Sequence, residues 1–389
     1  MSREATLRVA ILADLLEEGW PSMDLIADVL MGELGRAEPP LVAAELLRPR
    51  FAPRFAGLRQ NGRRPPTIDR IAHRYWDYPR WLRRHAGTSD VYHIVDHSYA
   101  HLARALPPGR VVVTCHDVDA FRPLTDPGFR ESSLPRFFVR RLLRGMQAAA
   151  RVVCVSETTR NELERRALVP PGRLVVVANG VDPRCSPDPD PAADTELATL
   201  LGPAAGPELL HVGSTIPRKR IDTVVDVLAR VAASRPDVTL LRVGGPFSTE
   251  QHRRVDSLGM GQRVRVLPFV DRRLLTAVYR RSALVLQPSE REGFGLPVIE
   301  ALACGTPVLA SDLPVFHEVG GSAIEYAPVG AADVWATRVR SLLRERESEP
   351  GAWQCRRAAG LDRAGHFSWR VHVQRMREIY DEVARGAAA

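Results

Sequence analysis

Residues 292–308 read EGFGLPVIEALACGTPV, and the apolar run ALVLQPS at 283–289 stands shortly before them. The run predicts a buried strand that ends at its proline. Pro297 suits the first turn of a helix, because its missing N–H would be unpaired there, and Gly305 suits the position just after the helix. The two glycines before the helix open a loop that lets backbone approach a ligand closely. The stretch therefore predicts strand, glycine loop, helix and strand, with a helix N-terminus that attracts anions.

Two carboxylates flank this helix N-terminus. Glu292 lies in the predicted loop, and Glu300 lies about one turn into the predicted helix. Both would repel a bare phosphate, so hydrogen bonds from sugar hydroxyls suit them better. The alternative is that the two charges only complement the helix dipole. Together with the anion site, the pair indicates a nucleotide sugar as the ligand.

Length and composition indicate a globular chain of two domains. The chain has 389 residues, of which 45% are hydrophobic and 26% charged, with a net charge of +8 and a pI of about 9.7. This basic balance suits phosphate-bearing substrates or an anionic membrane surface. None of the usual nucleic-acid-binding motifs occurs, so no nucleic-acid partner is expected.

Several patterns bear on location. No run of about 18 apolar residues occurs, and the N-terminus lacks a charged-then-apolar signal pattern. The five cysteines are scattered without metal-ligand spacing, which favours reduced thiols and a cytoplasmic protein. Basic and aromatic residues interleave over Arg70–Arg84 at roughly helical spacing, and this pattern suits peripheral contact with the inner face of an anionic membrane. The alternative is a solvated helix that buries its aromatic rings.

Lys219 is the only lysine among the 54 basic residues of the chain. It follows Arg218 in the segment STIPRKR at 214–220, between a predicted strand at 208–213 and a predicted helix that begins at Ile221. Two cations at a strand-to-helix turn, together with the helix dipole, favour a diphosphate. The alternative is a solvated basic loop.

The stretch from Glu292 to Glu300 resembles the Glu-x7-Glu motif of the retaining GT-B glycosyltransferases, in particular glycosyltransferase family 4 (glycosyl transferases group 1). The match covers the spacing and the Gly-Phe-Gly-Leu-Pro filling, and the resemblance runs along nearly the whole chain, most strongly over 208–325. It implies an α/β protein of GT-B architecture, with two Rossmann-like, doubly wound parallel-sheet domains that face each other across a cleft.

The resemblance also implies roles for single residues. Glu292 would contact the donor sugar, Glu300 the ribose hydroxyls, and Lys219 the diphosphate. An arginine is common in the family at the position of Ser214, so Arg218 would take its part. By the same resemblance, the remaining donor-binding residues would be Gly213, Ser214, Phe269, Val270, Gly293, Phe294, Gly295, Leu296 and Pro297.

The N-terminal half offers candidates at the carboxyl ends of its predicted strands, where α/β sheets bind ligands. His116 follows an all-apolar strand, and with Asp117 it matches a His-Asp of the family whose His lies near the donor sugar. Glu17–Met23 is predicted as a loop and Asp24–Leu34 as a helix. The expected acceptor-binding residues are Trp20, Ser22, Met23 and His97.

Asp117-Val118-Asp119 also spells the Asp-x-Asp metal motif of the other glycosyltransferase architecture, GT-A. Two carboxylates holding a divalent metal on a diphosphate would be sensible chemistry. The three-residue pattern is weak, however, and its context favours the His-Asp of GT-B. The expectation is therefore that no metal is required.

A proline- and aspartate-rich stretch divides the chain. It predicts a linker at about 183–205, an N-terminal acceptor-binding domain at 1–190 and a C-terminal nucleotide-sugar-binding domain at 206–367. The resemblance implies that a last helix, at 368–389, crosses back to the first domain.

The sequence thus predicts a retaining, metal-independent hexosyltransferase that needs no cofactor. Its donor would be a UDP- or GDP-sugar, and its acceptor a sugar, a lipid or a small molecule. Lys219, Arg218 and a helix N-terminus would stabilise the diphosphate leaving group, with His116 and Glu292 at the donor sugar. The alternatives are a GT-B nucleotide-sugar epimerase and a non-catalytic, membrane-associated binding protein.

Overall fold

The computed structural model describes residues 6–19, 21–36, 42–52, 54, 67–129, 136–267 and 270–387. The chain forms two compact units. The first unit comprises residues 1–179 and 369–389, and the second comprises residues 180–368. The C-terminal segment therefore belongs to the first unit.

Each unit contains one six-stranded sheet. The strands of the first sheet are β1 Arg8–Leu12, β2 Ala43–Leu47, β3 Val91–Ile94, β4 Val111–Cys115, β5 Arg151–Cys154 and β6 Leu174–Val176. Those of the second are β7 Glu208–Val212, β8 Thr239–Val243, β9 Val264–Leu267, β10 Leu284–Gln287, β11 Val308–Ser311 and β12 Glu325–Ala327.

The helices of the described residues follow these strands in alternation. They are α1 Pro21–Arg36, α2 Thr67–Ala72, α3 Tyr78–His85, α4 Arg122–Thr125, α5 Arg136–Ala148, α6 Glu157–Arg165, α7 Pro191–Leu201, α8 Ile221–Ala232, α9 Thr249–Ser257, α10 Arg272–Arg281, α11 Leu296–Ala303, α12 Pro314–Gly320, α13 Ala332–Ser348, α14 Pro350–Gly365 and α15 Trp369–Gly386. A π-helical turn, His73–Asp77, joins α2 to α3.

Both sheets are parallel and doubly wound. The first runs in the order β2-β1-β3-β4-β5-β6, and the second in the order β12-β11-β10-β7-β8-β9. The recorded strand pairs are parallel in both sheets. The carboxyl ends of the strands in a unit therefore meet at one edge, where ligand sites of α/β sheets form. The predicted α/β class with two Rossmann-like parallel-sheet domains is confirmed.

The core of the first unit covers both faces of its sheet. One apolar cluster packs Val111, Val113 and Val152 against helix α5, and the other packs Val9 and Ile11 against helices α1 and α15. Helix α15 contributes Val373, Met376, Ile379, Tyr380 and Val383 to that second cluster. Its apolar stripe, at helical spacing, explains why the last helix joins the first unit.

The core of the second unit follows the same logic. Leu209, Leu240 and Leu284, from three neighbouring strands, pack against helices α8 and α13, and Trp335 lies fully buried among them. Such nearly continuous apolar strands are typical of a parallel sheet covered on both faces.

The structure differs from the sequence prediction at the linker and at the start of helix α1. The predicted linker at about 183–205 contains helix α7, because Asp190 caps its start, Pro191 suits its first turn, and Leu197 and Leu201 are buried. Helix α1 begins at Pro21 rather than at Asp24, so the predicted loop is wrong for the backbone of Ser22 and Met23.

Arg70–Arg84 is helical, as its spacing predicts. Tyr75 and Tyr78 are buried, whereas Trp76 is exposed. Pro79 lies in the first turn of α3 and does not break the segment. Among the described residues, no helix is long and apolar enough to cross a membrane.

Candidate active site

The carboxyl edge of the second sheet carries the candidate cations. Strand β7 ends at Val212, and a 3-10 turn at Pro217–Lys219 leads into helix α8. The side chains of Arg218 and Lys219 are only 18% and 12% exposed. They therefore do not project freely into solvent, as a solvated basic loop would.

Glu292 lies opposite these cations, in the loop between β10 and α11. Lys219 Nζ forms an ion pair with Oε1 of Glu292, and Arg218 Nη1 lies 3.4 Å from Oε2. The backbone of the two loops is also joined, because the Glu290 N–H donates to the Arg218 carbonyl at 2.8 Å and Arg218 Nη1 donates to the Arg291 carbonyl at 2.8 Å. The structure thus brings Glu292 to two predicted cations that lie 74 and 73 positions before it in the chain.

Two further residues, which the sequence analysis missed, hold the carboxylate of Glu292. Gln287 Nε2 donates to Oε1 at 2.9 Å, and the Ser289 hydroxyl donates to the same oxygen at 2.8 Å. Both lie on the segment at the end of β10. The sequence feature that could have indicated them is their position: both are polar residues at the end of an apolar run.

The environment keeps Glu292 ionised. Burial by itself would raise the pKa of this carboxyl, but the charges of Lys219 and Arg218 and hydrogen bonds from Lys219 and Ser289 outweigh it and lower the pKa to about 2. The expected acceptor of sugar hydroxyls is therefore, in this structure, the counter-ion of Lys219 and Arg218.

Helix α11 begins beside Glu292. Gly295 precedes it with φ of +100°, and a Cβ at this position would lie 2.8 Å from the ring of Phe316. Both the conformation and the space therefore require glycine here. Pro297 lies in the first turn, as predicted, and Gly305 ends the helix with φ of +72°.

Glu300 is buried in the middle of α11 and already has partners. The Tyr279 hydroxyl donates to its Oε2 at 2.9 Å, and the Arg272 guanidinium binds its Oε1. Arg272 also donates to Asp182 at 3.1 Å. The carboxylate of Glu300 is thus held in place by two neighbours that the sequence analysis did not single out.

The remaining donor candidates follow the same edge. Gly213 and Ser214 follow β7, and the Gly213 N–H donates to the Val243 carbonyl at 2.9 Å. Phe294 is buried and packs edge-on to Phe367, with ring centroids 5.7 Å apart. Gly293 is buried beside it, Leu296 is half-buried at the start of α11, and Val270 is half-buried before α10. Phe269 lies outside the described residues.

In the first unit, His116 and His97 lie at the carboxyl edge of the sheet. His116 follows β4 and donates from Nε2 to the Val95 carbonyl at 2.7 Å, and its own N–H donates to His97 Nδ1 at 3.3 Å. Burial lowers the pKa of His116, so the ring is neutral at physiological pH. His97 therefore supports the backbone of His116.

Asp96 and Asp14 complete this edge, and Asp14 is a residue that the sequence analysis missed. His97 Nδ1 lies 3.2 Å from Asp96 Oδ1, which also accepts the Ser98 N–H at 2.8 Å. Burial, and then the charge of Asp96, raise the pKa of Asp14 well above its ordinary value. Asp14 comes directly after the apolar run of the first strand, and this position could have indicated it as a site residue.

The other candidates of the first unit are less defined. Met23 is half-buried in the first turns of α1. The side chain of Ser22, and Trp20 as a whole, lie outside the described residues. The Asp119 N–H donates to Asp117 Oδ1 at 3.1 Å, which makes the Asp-x-Asp a local turn. No group of three or more His, Cys, Asp or Glu side chains arranged for a metal occurs in the part of the chain that the structure describes.

Comparison with known proteins places the chain in a family. Residues 199–353 match the model of glycosyl transferases group 1, and residues 35–184 match that of Glycosyltransferase Family 4. A D-inositol 3-phosphate glycosyltransferase of Rhodococcus jostii is 30% identical over 340 residues, which are 83% of this chain and 68% of that protein. The chain therefore belongs to the GT-B glycosyltransferases of family 4.

A second relative agrees with this assignment, and a solved structure shares the fold. The D-inositol 3-phosphate glycosyltransferase of Jonesia denitrificans is 30% identical over 62% of this chain, and the match spans 59% of that protein's length. The structure of Anabaena HepE in complex with UDP and glucose superposes with a TM-score of 0.72 at 18% identity, over 96% of this chain and 99% of that chain. At this identity the superposition shows the fold alone.

Proposed function

We propose that the chain is a retaining glycosyltransferase that moves a hexosyl group from a nucleoside-diphosphate sugar, UDP- or GDP-linked, to an acceptor hydroxyl. The observation that carries the proposal is the meeting of Lys219, Arg218 and Glu292 beside the N-terminus of α11. Two cations beside a helix N-terminus, where the helix dipole adds positive potential, suit a diphosphate. The UDP bound to the structural neighbour HepE supports a nucleotide donor.

Charge on the leaving group explains why these residues matter. Breaking the bond between the anomeric carbon and the phosphate oxygen leaves negative charge on the departing diphosphate. Lys219, Arg218 and the amides near Gly295 lie together at the start of α11, where they can stabilise that charge. When the diphosphate takes Lys219, Glu292 becomes available for hydroxyl groups of the donor sugar.

The neutral ring of His116 is proposed to contact the donor sugar, and His97, Trp20, Ser22 and Met23 to line the acceptor site. Retention without an enzyme nucleophile suits a same-face mechanism, in which a donor phosphate oxygen takes the proton of the acceptor hydroxyl. The acceptor is proposed to be a sugar, a lipid or a small polyol. The name of the two relatives, D-inositol 3-phosphate glycosyltransferase, supports a cyclic polyol within that class.

A donor panel tests the proposal. UDP-, GDP-, ADP- and dTDP-sugars are incubated without acceptor, with and without EDTA, and nucleotide release and the recovered sugar are followed. Slow hydrolysis of a UDP- or GDP-sugar that EDTA does not change is expected. Loss of hydrolysis with EDTA would point to a metal at Asp117 and Asp119, and recovery of an epimer would favour an epimerase. No turnover and no thermal shift with any nucleotide would contradict the enzyme proposal.

We further propose that the first unit contacts an anionic membrane surface. Ile68, Ile71 and Trp76 are exposed along the helical segment formed by α2, the π-turn and α3, followed by the exposed cations Arg80, Arg83 and Arg84. Apolar side chains beside a row of cations suit the boundary of anionic headgroups and acyl chains.

A further inference from the structure

Arg242 is a buried cation that the proposed mechanism does not yet use. It lies on β8 with only 1% of its surface exposed. Among the described residues no carboxylate pairs with it. Its Nη2 donates to the Gly213 carbonyl at 2.8 Å and lies 3.4 Å from the Gly244 carbonyl, and its Nη1 donates to the Gly245 carbonyl. Burial lowers the pKa of Arg242 to about 10, so the group is charged at neutral pH.

The three carbonyls belong to two loops at the carboxyl edge of the second sheet. Gly213 follows β7, and Gly244 and Gly245 follow β8. The loops are so close that a Cβ on Gly244 would lie 2.0 Å from the Gly213 carbonyl oxygen. Gln251 Nε2 adds a bond to the Thr215 carbonyl at 3.0 Å. Arg242 therefore fixes the loop that leads to Arg218 and Lys219 against its neighbour.

The bond to Gly213 also sets the direction of one peptide group. In a trans peptide the C=O and the following N–H point in opposite directions. Because the Gly213 carbonyl points at Arg242, the Ser214 N–H points away from it. This orients an amide donor at the end of β7, in the same loop as the two cations.

The charge of Arg242 is not cancelled by its neighbours. Its direct partner on β7 is His211, which is fully buried, and both ring nitrogens of His211 have no hydrogen-bond partner among the described residues. Burial lowers the pKa of His211 to about 3, so this ring is neutral. The ring lies close to Lys219, since both are within 4 Å of the Cβ position of Gly213. His211 therefore places a neutral ring, and no counter-charge, beside Arg242 on the neighbouring strand.

We propose that Arg242 is a positioning residue for the diphosphate of the donor. It turns the Ser214 N–H towards the phosphates and adds a buried positive charge behind the loop. The inference rests on the proposed function, because it requires a nucleoside diphosphate in this site.

Binding of the nucleoside diphosphate and of the bare nucleoside separates this role from a merely structural one. Calorimetry gives the Kd of UDP or GDP, whichever the wild type binds, and ligand-observed NMR gives that of uridine or guanosine. Arg242→Met is expected to weaken the diphosphate about tenfold or more, as loss of a charge-assisted interaction does, while the nucleoside changes less than about twofold. Parallel weakening of both ligands would overturn the proposal.

Arg242→Lys keeps the positive charge but loses the guanidinium's simultaneous hydrogen bonds to several carbonyls. It replaces Arg242→Met in the test if the methionine variant does not fold. Its diphosphate affinity is expected between those of wild type and Arg242→Met, and wild-type affinity in the folded lysine variant would overturn the orienting role. Arg235→Met is the matched control, because Arg235 pairs with Asp237 and Glu347 at the amino end of β8. It should bind the diphosphate like wild type.

The outcomes also separate the two proposals. A wild-type protein that binds neither UDP nor GDP would overturn the proposed function and this inference with it. A wild type that binds UDP or GDP, together with an Arg242→Met variant of equal affinity, would overturn the inference alone.

Discussion

Lys219 pairs with Glu292 and, in the proposed reaction, exchanges this partner for the diphosphate. Lys219→Met is therefore expected to lower kcat about 10²- to 10³-fold with a smaller change in KM, because the lost charge acts mainly on the transition state. Steady-state kinetics with the donor found in the panel measures this. Arg220→Met is the control, since Arg220 pairs with Asp222 instead. Turnover close to wild type in Lys219→Met would remove Lys219 from the mechanism.

Glu292 links stability to pH. Its pKa of about 2 in the folded protein lies below the ordinary value of 4.5. A lowered pKa stabilises the fold fully above pH 4.5, and the contribution is lost as the pH falls towards 2. The difference corresponds to about 3 kcal/mol for this buried group. In urea unfolding at several pH values, Glu292→Gln should lose less stability than wild type between pH 5 and pH 3. Equal slopes for the two proteins would contradict the ion pair.

At the scale of one element, α11 joins two glycines with different neighbours. Gly295→Ala is expected to lower both Tm and nucleotide affinity, because the new Cβ meets Phe316 and the positive φ costs about 1–2 kcal/mol. Gly305→Ala is strained in a similar way at the other end of the helix, beside Arg357. It should lower Tm without weakening nucleotide binding. Thermal unfolding and calorimetry compare the variants, and equal losses of affinity would show that the helix start has no special role.

The sequence predicted strands and helices well where a run of apolar residues was uninterrupted. Strands β7, β8, β9 and β10 of the second sheet follow from apolar runs that end at Gly or Pro, and helix α11 follows from its Pro at the start and Gly after its end. Helix α7 was missed because Pro191 and its aspartate-rich surroundings resemble a linker, although the same residues cap and start a helix. Helix α14 was missed as well, since only Trp353, Gly360 and Ala364 of its residues are buried, which leaves a weak apolar stripe.

Contacts between distant positions were largely beyond sequence reasoning. The motif identified Glu292, Glu300 and Lys219, but not the bond between Lys219 and Glu292 across 73 positions. Nothing local marks Arg242, whose partners are carbonyls in the loops after β7 and β8, or Arg272, which joins Glu300 to Asp182. Such contacts depend on how loops and helices pack in the folded unit, which no local stretch of sequence determines.

At the scale of the whole molecule, the net charge of +8 attracts the chain to any anionic surface, whereas the exposed apolar side chains of the first unit would fix where it binds. Co-sedimentation should show binding to vesicles that contain phosphatidylglycerol and not to pure phosphatidylcholine. Trp76→Asp, at a residue 55% exposed, should weaken that binding several-fold more than Val334→Asp, which makes the same change at a side chain 42% exposed in the second unit. Charge alone would make the two variants equal. Equal binding of the two variants would show that the apolar side chains of the first unit do not contribute. The same conclusion would follow if salt at about 0.5 M abolished binding equally in wild type and in both variants.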